Sequence, residues 1–174
     1  MKITSACLLA AALFITSSSL RAQYGAATSA TSPKDSLVLT ADHYHAPVTL
    51  SPADFGALPH FTLTVHNSHT NADETYSGVP LATLLAKVNA PMGAELKGAT
   101  MTTYVVATGS DNYSVVLSLA EVDPSFHAGQ VVVADARDGQ PLAAAGPFEL
   151  IVSDDKRPAR WVHNLVAITV QNAR

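Results

Sequence analysis

Short runs alternating apolar with small polar residues recur along most of the chain, separated by turn-forming clusters. "HFTLTVHN" (60–67) sets Phe61, Leu63 and Val65 between threonines, the two-residue period of a half-buried strand. Further strands are expected at "SLVLTA" (36–41), "TTYVVAT" (102–108) and "YSVVLSL" (113–119), the last two joined across the turn cluster "GSDN". "QVVVADA" (130–136) has the continuous apolar run of a buried strand and leads into "RDGQ", a hairpin turn built on Asp138-Gly139. "FELIVS" and "RWVHNLVAITV" read as two buried strands joined by a charged loop.

The period changes in two places. In "VPLATLLAKVNAPMG", Leu81, Leu84, Leu85 and Val88 fall at i, i+3, i+4 and i+7, and Pro91 and Gly93 are expected to stop the helix. In "TLSPADFGAL", Ser51 is an N-cap, Pro52 the first helical residue and Asp54 a first-turn acid. Gly56 and Pro59 limit that helix to a turn or two, and "AEVDPSF" is a short helical or turn segment. The pattern predicts one α+β domain over 36–174, mostly strand in mixed sheets, with two or three short helices.

Residues 1–22 carry a different pattern: Lys2, an apolar run from Ala6 to Ile15, then a Ser-rich stretch ending in Ala22. This is the layout of a Sec-type secretory signal without an Arg-Arg pair, so a periplasmic or secreted product is expected. Residues 23–35, "QYGAATSATSPKD", read as a flexible leader. Cys7, the only cysteine, lies inside the signal, which leaves the remaining chain without disulfides or thiolate ligands. Lys2 and Arg21 also lie there, so eight basic residues remain against fourteen acidic ones, a net charge of −6. That balance argues against nucleic acid and anionic membranes as partners, and no later stretch is long and apolar enough for membrane insertion.

Taken in order, "VTLSPADFGALPHFTLTV", "YSGVPLATLLAKVNAP", "DNYSVVLSLAEVD" and "VVVADARDGQPLAAAGPFELIVSDDKRPARWVHNLVAITV" resemble the oxidoreductase molybdopterin-binding domain family, the sulfite oxidase-type fold. The resemblance covers roughly residues 36–170 and implies that fold. In active family members a cysteine thiolate binds molybdenum from the loop after the strand matching "FTLTV". Counting twelve residues back from Gly78 of the G-[VF]-P-L helix lands on His66. The family's D-G-Y is Asp111-Asn112-Tyr113, and its G-P-x-R position holds Glu149 in place of a base. Imidazole is a harder, uncharged donor that prefers zinc, copper, iron or nickel. The scaffold therefore reads as one whose catalytic ligand has been replaced.

The resemblance also implies that basic groups of the C-terminal segment hold the cofactor's phosphate. Lys156, Arg157 and Arg160 would suit a phosphate or carboxylate, with arginine bidentate and lysine a point charge. Alternatively the loop is a solvated hairpin tip in which Asp154 and Asp155 neutralise Lys156 and Arg157. Trp161 packs in the core or stacks on a pterin, with His163 beside it. "HNSH" carries His66, Asn67 and His69 at a strand end, and "HYH" carries His43 and His45, so a zinc or copper site is a further option. Asp111 caps the turn before Tyr113, which the family match places near the cofactor or substrate entrance. No G-x-S-x-G, Gly-rich phosphate loop or H-E-x-x-H occurs.

The expected function is an exported module that binds an anionic ligand, a cofactor or a protein partner without redox catalysis. Its pocket would be built by the loops at 66–75, 109–113 and 154–163. The alternative is a molybdopterin-dependent oxidoreductase component with His66 in the thiolate's place, and a third reading is divalent-metal binding by the histidines.

Overall fold

The computed structural model describes residues 35–41 and 45–174, apart from the side chain of His45. The expected signal, most of the leader, His43 and the His45 side chain lie outside the described residues. Among the described residues, ten strands form two sheets. The first has the order β2-β1-β10-β5-β6 and comprises β1 (Leu37–Ala41), β2 (His45–Leu50), β5 (Thr103–Gly109), β6 (Ser114–Ser118) and β10 (Leu165–Asn172). Only β1 and β10 pair in parallel, and the other pairs of that sheet are antiparallel. The second sheet is antiparallel. It runs from β3 (Phe61–Asn67) through β4 (Ala72–Pro80) to β7 (Val131–Arg137). Two short strands, β8 (Gln140–Pro141) and β9 (Glu149–Val152), share the far edge of β7.

One cluster of buried residues joins the elements. β1 and β5 alternate strictly, burying Leu37, Leu39 and Ala41 on one and Val105 and Ala107 on the other. β9 and the first half of β7 are buried on both faces, which explains their unbroken apolar runs. Phe55 and Phe148 meet with ring centroids 4.7 Å apart.

Three α-helices are present among the described residues. In α1 (Pro52–Gly56) Ser51, the N-cap expected from the sequence, accepts at Oγ from the Asp54 N–H, and the Asp54 carboxylate accepts from the Ser51 N–H, which completes a capping box. α3 (Leu119–Val122) repeats the device with Ser118 and Glu121. α2 (Leu81–Ala86) is shorter than its apolar spacing suggests. Its end is set by Asn89 at φ 50°, with Asn89 N–H donating to Ala86 O and Ala90 N–H to Leu85 O, before Pro91 is reached. Val79 and Pro80, expected to open this helix, belong to β4.

Two other expectations are corrected. Residues 66–75 are not a loop: β3 runs to Asn67, four turn residues follow, and β4 starts at Ala72. β4 escapes a hydrophobicity scan because its inward positions are Glu74, Tyr76 and Gly78. Nor do "FELIVS" and "RWVHNLVAITV" form a hairpin. β9 belongs to the second sheet and β10 to the first, so residues 153–164 cross between them. Val162 makes a single bridge to Leu150 on the way, and Asn164 at φ 49° turns the chain into β10.

Gly78 marks the closest approach in the second sheet. A Cβ there would lie 2.1 Å from the Val133 carbonyl oxygen, at the register shift between β4 and β7. Gly78→Ala is expected to cost about 3 kcal/mol in chemical denaturation. A loss within ~0.5 kcal/mol would show that the β4–β7 approach is soft.

Candidate functional site

Three separate segments converge on one pocket of about 350 Å³. The β3–β4 turn gives His69, the β5–β6 turn gives Asp111 and Tyr113, and the sheet crossover gives Pro158, Ala159, Trp161 and His163. Five residues singled out in the sequence, His69, Asp111, Tyr113, Trp161 and His163, thus line one wall system. His66, Asn67, Lys156, Arg157 and Arg160 do not line it.

The β3–β4 turn is pinned from below by a buried carboxylate. Glu74 accepts from Asn67 Nδ2 at 2.9 Å, Tyr76 Oη at 2.7 Å and Thr70 Oγ1 at 3.0 Å, with Arg137 Nη1 3.8 Å away. Asn67 Oδ1 in turn accepts from the His69 N–H, which fixes the backbone that carries this imidazole. Burial works to raise the Glu74 carboxyl, but these donors and Arg137 outweigh it and hold Glu74 below its ordinary range. Burial, and the hydrogen bond to Glu74, push the Tyr76 hydroxyl far upward.

The β5–β6 turn closes on itself. Asp111 Oδ1 accepts from the Tyr113 N–H at 2.9 Å and Asn112 sits at φ 68°. The Tyr113 hydroxyl donates to the Ala159 carbonyl, tying this turn to the crossover. Gly109 permits the contact: a Cβ there would stand 2.8 Å from the His163 carbonyl oxygen. Trp161 is buried, its Nε1–H donates to Val152 O at 3.1 Å, and its ring packs edge-on against Tyr76 at 5.6 Å. It is a fixed wall rather than a free stacking platform.

The basic loop divides. Asp155 takes Arg160 in a bidentate grip, Oδ2 from Nε at 2.9 Å and Oδ1 from Nη2 at 2.6 Å, and Glu121 Oε1 takes Nη1 at 2.9 Å. Hydrogen bonding to Asp155 is the largest cause of a guanidinium held still more firmly in its charged form. Arg160 therefore locks the crossover to α3 and lines a smaller cavity of about 190 Å³ with Glu121, Asp154 and Asp155. Asp154 lies 3.4 Å from His127 Nε2. The aspartates thus serve Arg160 and His127, while Lys156 and Arg157 are exposed and have no side-chain partner among the described residues.

His66 points away from Asn67 on β3: it is exposed, with Nδ1 2.9 Å from Asp73 Oδ1 on the neighbouring strand. No group of three or more His, Cys, Asp or Glu side chains arranged to hold a metal occurs among the described residues.

Behind the pocket wall lies a feature the site reading of the sequence did not include. Glu149 on β9 is fully buried, with neither carboxylate oxygen in a hydrogen bond among the described residues. His163 Nδ1 is 3.1 Å from its Oε1, close but outside hydrogen-bond geometry, and the His163 side chain is 61% exposed. Burial, with Glu74 nearby and only Arg137 opposing, pushes the Glu149 carboxyl up to about 7. The signal in the sequence was a lone acid inside "FELIV", where the resemblance led one to expect a base.

No family model and no curated protein matches the sequence. Among solved structures, the fold is similar to that of the sulfane dehydrogenase SoxCD from Paracoccus pantotrophus. The TM-score is 0.61 at 16% identity, over 81% of this chain and 40% of that one. At that identity the likeness shows the fold: an α+β, mostly β architecture of the sulfite oxidase type. The chain spans well under half of the dehydrogenase chain it matches.

Two expectations follow. Folded protein holds a proton on Glu149 that the unfolded chain releases near 4.5, so stability falls as pH rises from there through about 7. Glu149→Gln should remove roughly 3 kcal/mol of that decline between about pH 5 and 8, read by urea denaturation at each pH. An unchanged profile would mean that Glu149 is ionised in the fold. Arg160→Ala should cost about 1 kcal/mol, and Arg157→Ala should stay within ~0.5 kcal/mol of zero. Equal losses would contradict the division of the basic loop.

Proposed function

We propose that this chain is a non-redox binding module whose pocket between the β3–β4 turn, the β5–β6 turn and the sheet crossover takes a small anionic ligand. The carrying observation is the convergence of His69, Asp111, Tyr113, Trp161 and His163 from three segments on one pocket. Its size suits a small molecule. The polar groups narrow the chemistry. Asp111 is occupied by its own turn, Trp161 Nε1 by Val152, and the Tyr113 hydroxyl by Ala159. The imidazoles of His69 and His163 make no side-chain hydrogen bond among the described residues and line the pocket against walls of Trp161, Tyr113 and Pro158. Exposed Lys156 and Arg157 immediately precede Pro158 and add positive charge at this end of the crossover. Together they favour a carboxylate on a flat apolar body. A periplasmic or secreted setting belongs to this reading, on the strength of Met1–Ala22.

The residues do not fit molybdopterin. The only cysteine is Cys7, outside the described residues, and His66 is turned to the outer face and held by Asp73. Arg160 is taken up by two carboxylates, and a buried carboxyl stands behind the pocket wall. An anionic phosphate and a metal lacking a protein sulfur ligand would both be poorly served.

Thermal denaturation with benzoate, acetate and inorganic phosphate tests the reading. Benzoate at ten times its Kd should raise the midpoint by about 3–5 °C, and His69→Ala and His163→Ala should abolish the shift. No shift with any of the three anions, or an equal shift in both variants, would refute it.

A further inference from the structure

Glu149 is an acid without a structural job. It is fully buried in β9, makes no hydrogen bond among the described residues, and touches one group that reaches the pocket, His163 Nδ1 at 3.1 Å. Buried polar groups in folded proteins are almost always satisfied, so an orphan of this kind calls for a reason. Its other charged or titratable neighbours are Arg137 from β7 and Glu74 and Tyr76 from β4. Arg137 Nη1 lies 3.8 Å from Glu74, so its charge is shared with that already ionised acid. His163 is the only one of these neighbours on the pocket lining.

We infer that Glu149 is an internal proton donor that arms His163 for anion binding: when an anion enters the pocket, the proton on Glu149 passes to Nδ1 of His163. A small rotation of the exposed ring brings Nδ1 into line with Oε1. The O–H bond of Glu149 breaks, the N–H bond of His163 forms, and no proton is exchanged with solvent. The imidazolium then presents Nε2–H to the anion, with the Glu149 carboxylate behind it. Neither charge is stable alone: the buried carboxylate needs the imidazolium, and the imidazolium gains from the anion. The net charge of the Glu149–His163 pair is unchanged by the transfer, but its positive end faces the pocket only when the anion is bound.

This inference rests on the binding reading above, and calorimetry separates the two. Benzoate is titrated into wild type and Glu149→Gln at about pH 6.5 in buffers of different ionisation enthalpy, which counts the protons drawn from solvent. Wild type should draw close to none. Glu149→Gln, whose amide has no acidic proton to give, should draw a measurable fraction of a proton and bind roughly tenfold more weakly. Equal affinity and equal proton counts would overturn the internal transfer while leaving the pocket intact. Absence of benzoate, acetate and inorganic phosphate binding in both proteins would overturn the pocket reading, and the transfer with it. Since Glu149→Gln removes a buried acid and keeps the side-chain shape, its thermal midpoint serves as the folding control.

Discussion

Two carboxyl groups buried in one core need more positive charge than one half-exposed guanidinium can supply. Glu74 and Glu149 both sit beside Arg137, and the structure resolves the conflict by treating them differently. Glu74 gathers three hydrogen-bond donors and stays ionised. Glu149 gathers none and is pushed toward its neutral form. The asymmetry follows from strand geometry: Glu74 lies near the turn of the β3–β4 hairpin, where turn residues can fold over it, whereas Glu149 lies in a four-residue strand buried on both faces.

The pocket depends on that arrangement. Ionised Glu74 fixes Asn67 and the turn that carries His69, and it orients Tyr76 as the surface on which Trp161 packs. Glu149 stands behind His163. One of the three segments that form the pocket is thus held from beneath by a buried acid, and a second has an unbonded acid of the same cluster behind it. The third, the β5–β6 turn, is held by the Tyr113 hydroxyl on Ala159. Arg160 acts from the other side, clamping the crossover to α3 through Asp155 and Glu121. What looked in the sequence like the positive half of an anion site is, for Arg160, a structural rivet.

Much of the fold was legible in the sequence because it rests on period and punctuation. β1, β3, β5, β6 and β7, the Ser51 cap and the Asp138-Gly139 turn all appear where alternation and turn chemistry place them. β4 did not, because its inward side chains include a glutamate and a glycine, and burial there is sustained by hydrogen bonds rather than by apolarity. The crossover was mistaken for a hairpin because sequence adjacency favours pairing, while β9 and β10 find partners in different sheets. The pocket lining was legible as candidate residues from three segments. The Glu74–Glu149–Arg137 cluster was not, since its members lie on three strands that only the register of the second sheet brings together.

The most direct test of this asymmetry is a ¹³C NMR titration of protein labelled at the glutamate side-chain carboxyls. The account requires the Glu149 carboxyl signal, assigned by its loss in Glu149→Gln, to move with a midpoint near 7, while Glu74 titrates below its ordinary carboxyl value. A Glu149 signal already at its ionised position at about pH 5, or one that titrates together with Glu74, would contradict it.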